Sequence, residues 1–206
     1  MRLVKYPHAC VRLETSEGVL VIDPGLFSGP DALTGADVLF ITHLHMDHLD
    51  TEGVKALAAK RPDLKIYGPP SLVDELGDTP FVVVQDGDTI TTLGIAATVH
   101  GEKHAEIHRS IPLIENVGYY IDGLYHPGDS FTVPDRPVGT LLAPIGAPWL
   151  KLSEAADFID AVAPRIVHPI HDAVLSEAGQ TVADRLLGTV TKPEYVRLGP
   201  GDSLEL

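Results

Sequence analysis

Apolar residues in this chain come in short runs broken by turn signals. Cys10 to Thr15 and Val19 to Asp23 are rich in aliphatic and β-branched residues and flank Ser16-Glu17-Gly18, which predicts two strands joined by a turn. Asp23-Pro24-Gly25 ends the second strand, and Asp37 to Thr42 predicts a buried one after it. Val54, Leu57 and Ala58 share one face at helical spacing, predicting a helix over Thr51 to Lys60. Leu64 to Tyr67 reads as a strand, and Ser71 to Leu76 as a short helix capped by Ser71. Phe81 to Val84, Thr89 to Thr92 and Ile95 to Val99 are β-type, with a turn at Asp86-Gly87-Asp88. A hairpin is predicted from Val117 to Ile121 and Leu124 to His126 around Asp122-Gly123, a pair that tolerates positive φ. Strands at Thr140 to Ile145 and Ile166 to Pro169 alternate with helices at Ser153 to Val162, capped by Ser153, and at Ala178 to Leu187. Tyr195 to Leu198 and Ser203 to Leu206 close the chain as β-type runs. No linker, repeat or low-complexity tract interrupts this order, so residues 1–206 read as one α/β (α+β) domain with helices outside packed sheets.

Composition narrows the function more than the fold. A chain of 206 residues can bury a sizeable core, and 44% apolar content is ordinary for a globular protein. The net charge of -14 disfavours nucleic acid, which needs a basic face, and also an anionic membrane surface. Cys10 is the only cysteine, so an intrachain disulfide is ruled out, and its Ala-Cys-Val setting reads as a buried small hydrophobe. The start of the chain lacks the apolar core of a signal peptide, and no stretch approaches the roughly 20 apolar residues of a membrane span. The expectation is a cytoplasmic enzyme acting on a small molecule, with neither nucleic acid nor membrane as partner and its oligomeric state open.

The chemistry concentrates after the third predicted strand. His43-Leu44-His45-Met46-Asp47-His48 places four metal-capable side chains in six positions, a density that packing does not explain. Strand alternation puts His43 and His45 on one side if the extension persists, and Asp47 and His48 where the chain must turn. Two neighbouring metals are expected, one at each pair. Further candidates lie in loops at strand ends: His100 to His104, His126-Pro127-Gly128-Asp129-Ser130 and His168-Pro169-Ile170-His171-Asp172. Asp129 is the expected bridge, with Gly128 allowing close backbone approach. His126 and His168 read as strand residues that pack. Asp23 serves either as a turn-maker or as a hydrogen-bond partner that fixes the tautomer of a ligand histidine. Trp149 either walls the pocket or packs, and His8 is a candidate support for a ligand. Glu102 and His108 are candidate proton donors to a leaving group.

The motif Thr42-His43-Leu44-His45-Met46-Asp47-His48 resembles the signature of the metallo-β-lactamase superfamily, and Asp23-Pro24, Gly128-Asp129-Ser130 and Pro169-Ile170-His171 follow in the same order. Through Pro7-His8-Ala9-Cys10, Val21-Ile22-Asp23-Pro24-Gly25 and the closing Pro-Ile-His, the chain is similar to the L-ascorbate-6-phosphate lactonase-like hydrolases. The resemblance implies a four-layer αββα sandwich with its site at one edge. It implies one metal on His43, His45 and a mid-chain histidine, and a second on Asp47, His48 and His171, with Asp129 bridging. The mid-chain ligand is assigned to His104, with His100 and His108 as alternatives, because Gly101-Glu102-Lys103 alters the usual approach. The ligand types suit zinc first, then manganese or iron. The expected chemistry is hydroxide shared by two metals attacking a small ester or lactone, with Asp47 and Asp129 essential. A phosphodiester substrate and a non-catalytic metal sensor are the alternatives.

Overall fold

The computed structural model describes residues 1–206. Its strands are β1 (Arg2–Lys5), β2 (Val11–Glu14), β3 (Val19–Ile22), β4 (Val38–Phe40), β5 (Lys65–Gly68), β6 (Val82–Val83) and β7 (Thr89–Thr92). There follow β8 (Ile95–His100), β9 (Gly118–Ile121), β10 (Leu124–His126), β11 (Thr140–Pro144), β12 (Ile166–Ile170), β13 (Glu194–Tyr195) and β14 (Ser203–Glu205). The helices are α1 (Thr51–Lys60), α2 (Leu72–Leu76), α3 (Leu152–Val162) and α4 (Glu177–Val190).

The strands form two seven-stranded sheets, ordered β14-β1-β2-β3-β4-β5-β6 and β13-β12-β11-β10-β9-β8-β7. Each sheet is antiparallel at one end and parallel at the other. β1 to β3 pair antiparallel and β3 to β6 parallel; β7 to β10 pair antiparallel and β10 to β13 parallel. Parallel neighbours need a crossover, and α1, α2, α3 and α4 supply four of them.

Alternation decides the layers. In β3 and β4, Leu20, Ile22, Val38 and Phe40 face the other sheet, where they meet Val99, Tyr119, Ile121 and Leu142. Val21 and Leu39 point the opposite way, onto Val54 of α1 and Leu72 and Leu76 of α2. In the second sheet Leu141, Ala143 and Val167 face Phe158 and Ile159 of α3 and Ala183 and Leu187 of α4. The result is the expected αββα sandwich, and the central strands are apolar on both faces because both faces are covered.

Local departures from the sequence expectation have identifiable causes. β4 stops at Phe40 rather than Thr42, because the Thr42 N–H leaves the ladder and donates to Asp23 Oδ1 at 2.8 Å. Ser153 does not cap α3; the helix begins at Leu152, which packs on the apolar cluster beneath, so Ser153 falls inside the first turn. Ser71 precedes α2 but already has helical angles and makes no side-chain cap; its N–H donates to Glu115 at 2.6 Å instead. Genuine caps are Asp50 on α1 and Ser176 on α4, each accepting from a glycine N–H three residues on.

Phe40 is fully buried between the sheets and stacks on Tyr119 with centroids 4.5 Å apart. Phe40→Ala is therefore expected to cost about 3–5 kcal/mol, read from the shift of the denaturant midpoint.

Candidate metal centre

The loops that leave β3, β4, β10, β11 and β12 meet at one edge of the sandwich. Two of them place a non-glycine residue in the left-handed region, Asp23 (φ 52°) and His171 (φ 59°), and the loop from β1 to β2 adds His8 (φ 63°). Asp and His tolerate this region better than most residues, and such strain clusters at functional sites. Gly128 (φ 63°) precedes Asp129, and a Cβ there would sit 2.3 Å from Asn116 Oδ1 and 2.7 Å from Thr42 Cβ. Gly25 lies against the ligand loop, with space for a Cβ only 2.0 Å from the backbone of Asp47.

Two groups of potential ligands result, each with its donor atoms within 4.8 Å of one another: His43, His45, His104 and Asp129, and His8, Asp47, His48 and His171. Asp129 stands between them. Its Oδ2 is 3.3 Å from His104 Nε2 and 3.0 Å from His171 Nε2, and its Oδ1 is 3.2 Å from His48 Nε2. Asp47 Oδ2 lies 3.4 Å from His171 Nε2.

The outer partners fix which nitrogen of each ring faces inward. His48 Nδ1–H donates to Asp23 Oδ2 at 2.7 Å, His104 Nδ1–H to the Ala105 carbonyl at 2.5 Å, and His171 Nδ1–H to the Gly146 carbonyl at 2.5 Å. Thr42 Oγ1 gives its proton to Asp23 Oδ2 at 2.7 Å, so it accepts from His43 Nδ1–H at 2.9 Å. Each ring thus turns Nε2 inward, the end suited to a metal. Nε2 of His48, His104 and His171 and Oδ1 of Asp129 are buried without a hydrogen-bond partner. Buried polar atoms are seldom left so, and converging imidazole and carboxylate lone pairs repel unless a cation lies between them. The donor set therefore fits divalent metal.

Without metal, protons take that part. Burial opposes charge on His48, but the carboxylates of Asp129 and Asp23 outweigh it and raise its pKa well above the ordinary value. His171 is likewise disfavoured by burial, yet Asp129 and Asp47 push it up to about 9. Burial would raise Asp129, but His48 and His171 hold it well below the usual carboxylate range. His43, fully buried and beside His48, is pushed well down.

His8 belongs to the second group by position, but its bonds give it a supporting part. Its Nδ1 accepts from the Ala173 N–H at 3.3 Å, which leaves Nε2–H to donate to Asp47 Oδ2 at 3.0 Å. The His8 turn is tied down by Lys5, an almost wholly buried lysine whose Nζ donates to the carbonyls of Tyr6 and His8. Burial lowers the Lys5 pKa to about 8.

The structure brings His43, His45, Asp47, His48, His104, Asp129 and His171 together, with Asp23 and His8 behind them. It does not bring in His100, whose ring bonds Thr98 Oγ1 at 2.9 Å beside Tyr120 and Tyr125. His108 is exposed and bonds Ser110 Oγ at 2.7 Å, away from both groups. Backbone pairing explains the choice of His104: its N–H donates to the Ile114 carbonyl, while the neighbouring Ala105 N–H donates to the Asp129 carbonyl at 2.8 Å. His126 and His168 pack, bonding the carbonyls of Ala9 (2.8 Å) and Val196 (2.7 Å). Trp149 is neither a plain wall nor mere packing, since its indole N–H donates to Asp129 Oδ2 at 2.9 Å. Asn116 went unnoticed in the sequence; it donates to the Pro127 carbonyl and accepts the Asp129 N–H, both at 2.9 Å, and so sets the Pro-Gly-Asp turn. Cys10 is buried, and burial pushes its thiol up to about 12.

The profile of the beta-lactamase superfamily domain matches residues 2–171. Protein Rv0786c of Mycobacterium tuberculosis is 37% identical over 202 residues, covering 95% of both chains. A metal-dependent hydrolase of Thermococcus kodakarensis is 29% identical, covering 97% of this chain and 96% of its own. In fold, the chain is similar to Igni18, a metallo hydrolase of the archaeon Ignicoccus hospitalis, with a TM-score of 0.74 at 18% identity and coverage of 100% and 98%.

Two measurements follow from the geometry. Asp23→Asn would set an amide N–H against His48 Nδ1–H and turn the ring's lone pair away from the site; metal affinity is expected to fall about 10–100-fold with the fold retained, as chelator competition would show. His171 with its pKa near 9 must release a proton to expose Nε2. His48, whose pKa is also raised, must do the same, so metal affinity should rise with pH from neutrality through about 9, with proton release detectable in weakly buffered titrations.

Proposed function

This chain belongs to the metallo-β-lactamase superfamily as a metal-dependent hydrolase, and we propose that it holds two divalent cations, zinc first, and hydrolyses a small ester or lactone. The observation that carries this reading is the set of inward-turned imidazole nitrogens in two groups that share one carboxylate, Asp129. One position is assigned to His43, His45 and His104, the other to Asp47, His48 and His171, with Asp129 between. Cations bound there would acidify water and polarise a carbonyl.

The protein's own residues do the rest. Asp23 and Thr42 hold His48 and His43 in one tautomer, and the Gly146 carbonyl does so for His171. His8 keeps Asp47 turned toward the centre. The rim supports a neutral substrate with an apolar part. Leu26, Phe27 and Met46 are exposed beside the ligand loop, the Leu26 N–H pairs with the Met46 carbonyl at 2.8 Å, and the Phe27 ring stands 5.3 Å from His8. None of these three carries the positive charge that a phosphodiester would favour. The small-molecule substrate and the independence from nucleic acid and membrane are part of the same proposal; no helix is long and apolar enough to cross a membrane.

Protein purified without added metal should contain about two metals per chain and hydrolyse a small lactone faster than bis(p-nitrophenyl) phosphate, with both activities abolished by chelation and restored by zinc or manganese. Asp47→Ala and Asp129→Ala are expected to lose one metal and nearly all turnover. Preference for the phosphodiester would overturn the ester reading. Metal uptake without turnover on either reporter would favour a sensor.

A further inference from the structure

Asp129 is fixed at its main chain on both sides. Its N–H donates to Asn116 Oδ1 at 2.9 Å, and its carbonyl accepts from Ala105 N–H at 2.8 Å. What remains free is rotation of the carboxylate, which decides the oxygen presented to each ligand group. An ionised carboxylate has two oxygens with about four lone-pair positions in all. Trp149 Nε1–H takes one of these on Oδ2. That oxygen lies near His104 and His171, whereas Oδ1 lies near His48 and has no hydrogen-bond partner.

The indole is itself held firmly. Its ring meets Phe131 edge-on with centroids 5.2 Å apart, and Phe131 lies 5.1 Å from Phe158 of α3. The His104 ring stands 5.9 Å away, also edge-on. The loop that carries Trp149 also carries Gly146, whose carbonyl accepts from His171 Nδ1–H. One loop after β11 therefore sets both His171 and the shared carboxylate.

We propose that the Trp149 indole N–H is a positioning group that fixes the rotation of Asp129, holding Oδ2 toward His104 and His171 and Oδ1 toward His48. This rests on the two-cation reading above. With one Oδ2 lone pair occupied by the indole, that oxygen has one left, too few to serve two cations alone. Cations at the two positions would then have to share both oxygens of Asp129, and filling one position would prepare the other. Removal of the N–H frees the rotation and uncouples them.

The test uses the fact that Trp149 is the only tryptophan. Replacing the indole globally with benzothienylalanine, its sulfur isostere, removes the N–H and keeps the ring. 5-Fluorotryptophan keeps the N–H and is the control; Trp149→Phe is the encoded variant. Zinc and manganese binding would be measured by chelator competition and by stoichiometry, alongside the melting temperature of the metal-free proteins. The expected result is a loss of about 10–100-fold in affinity for one of two equivalents in the benzothienyl protein and in Trp149→Phe, with metal-free melting unchanged in the benzothienyl protein and wild-type affinities in the fluorinated control. Wild-type affinities in the benzothienyl protein would overturn the proposal while leaving the two-metal reading intact, even if Trp149→Phe is impaired, since the loss would then belong to packing. A wild-type protein that binds no metal would remove both.

Discussion

The fully buried carboxylate of Asp23 joins the end of β3 to residues 19 and 25 positions further along the chain. It accepts from the Thr42 N–H, the Thr42 hydroxyl and His48 Nδ1–H, all at 2.7–2.8 Å. The first bond stops β4, the second orients the hydroxyl that accepts from His43, and the third fixes His48. A charged group with no exposure is stable only if such donors satisfy it. The same bonds that make burial tolerable thus bind the end of β3 to the ligand loop, and the ligands depend on them for their orientation.

Around this anchor the site is built against electrostatic cost. Asp47 and Asp129 each stand within a few ångströms of histidine nitrogens, and Asp129 with most of those histidines is buried. The raised pKa values of His48 and His171 follow from the negative charge of the carboxylates beside them. The sandwich sustains it because the scaffold below is rigid. Phe40, Tyr119 and their neighbours pack between sheets, and the Tyr119 hydroxyl donates to the Ile41 carbonyl at 2.9 Å, directly beneath the ligand loop. Fold stability and site geometry are therefore supplied by the same strands.

The support around the ligands is nearly as extensive as the ligands themselves. Lys5 fixes the turn of His8, His8 fixes Asp47, Asn116 fixes the turn of Asp129, and Trp149 meets its carboxylate. These come from different strands and loops: His8 ties the loop after β1 to the loop after β4, and Trp149 ties the loop after β11 to the loop after β10. Such backing residues govern metal affinity as well as orientation.

The sequence by itself determined the strand and helix order, helices outside packed sheets and the dense ligand run at 43–48, features written in periodicity and local chemistry over about ten residues. The four-layer arrangement was implied by the family resemblance. The sequence already favoured His104 over His100 and His108, and the tertiary structure gives the physical reason: pairing of the 102–104 segment with 114–116 and of Ala105 with Asp129 brings His104 beside the other candidate ligands. The tertiary structure alone decided the part played by Trp149, and that Lys5 would be buried. The caps expected at Ser71 and Ser153 failed for a related reason: burial of Leu152 and the bond from Ser71 to Glu115 outweighed local propensity. Convergence at the site of groups far apart in the chain, such as the Ala173 N–H with His8 165 positions away, leaves no mark in a local pattern.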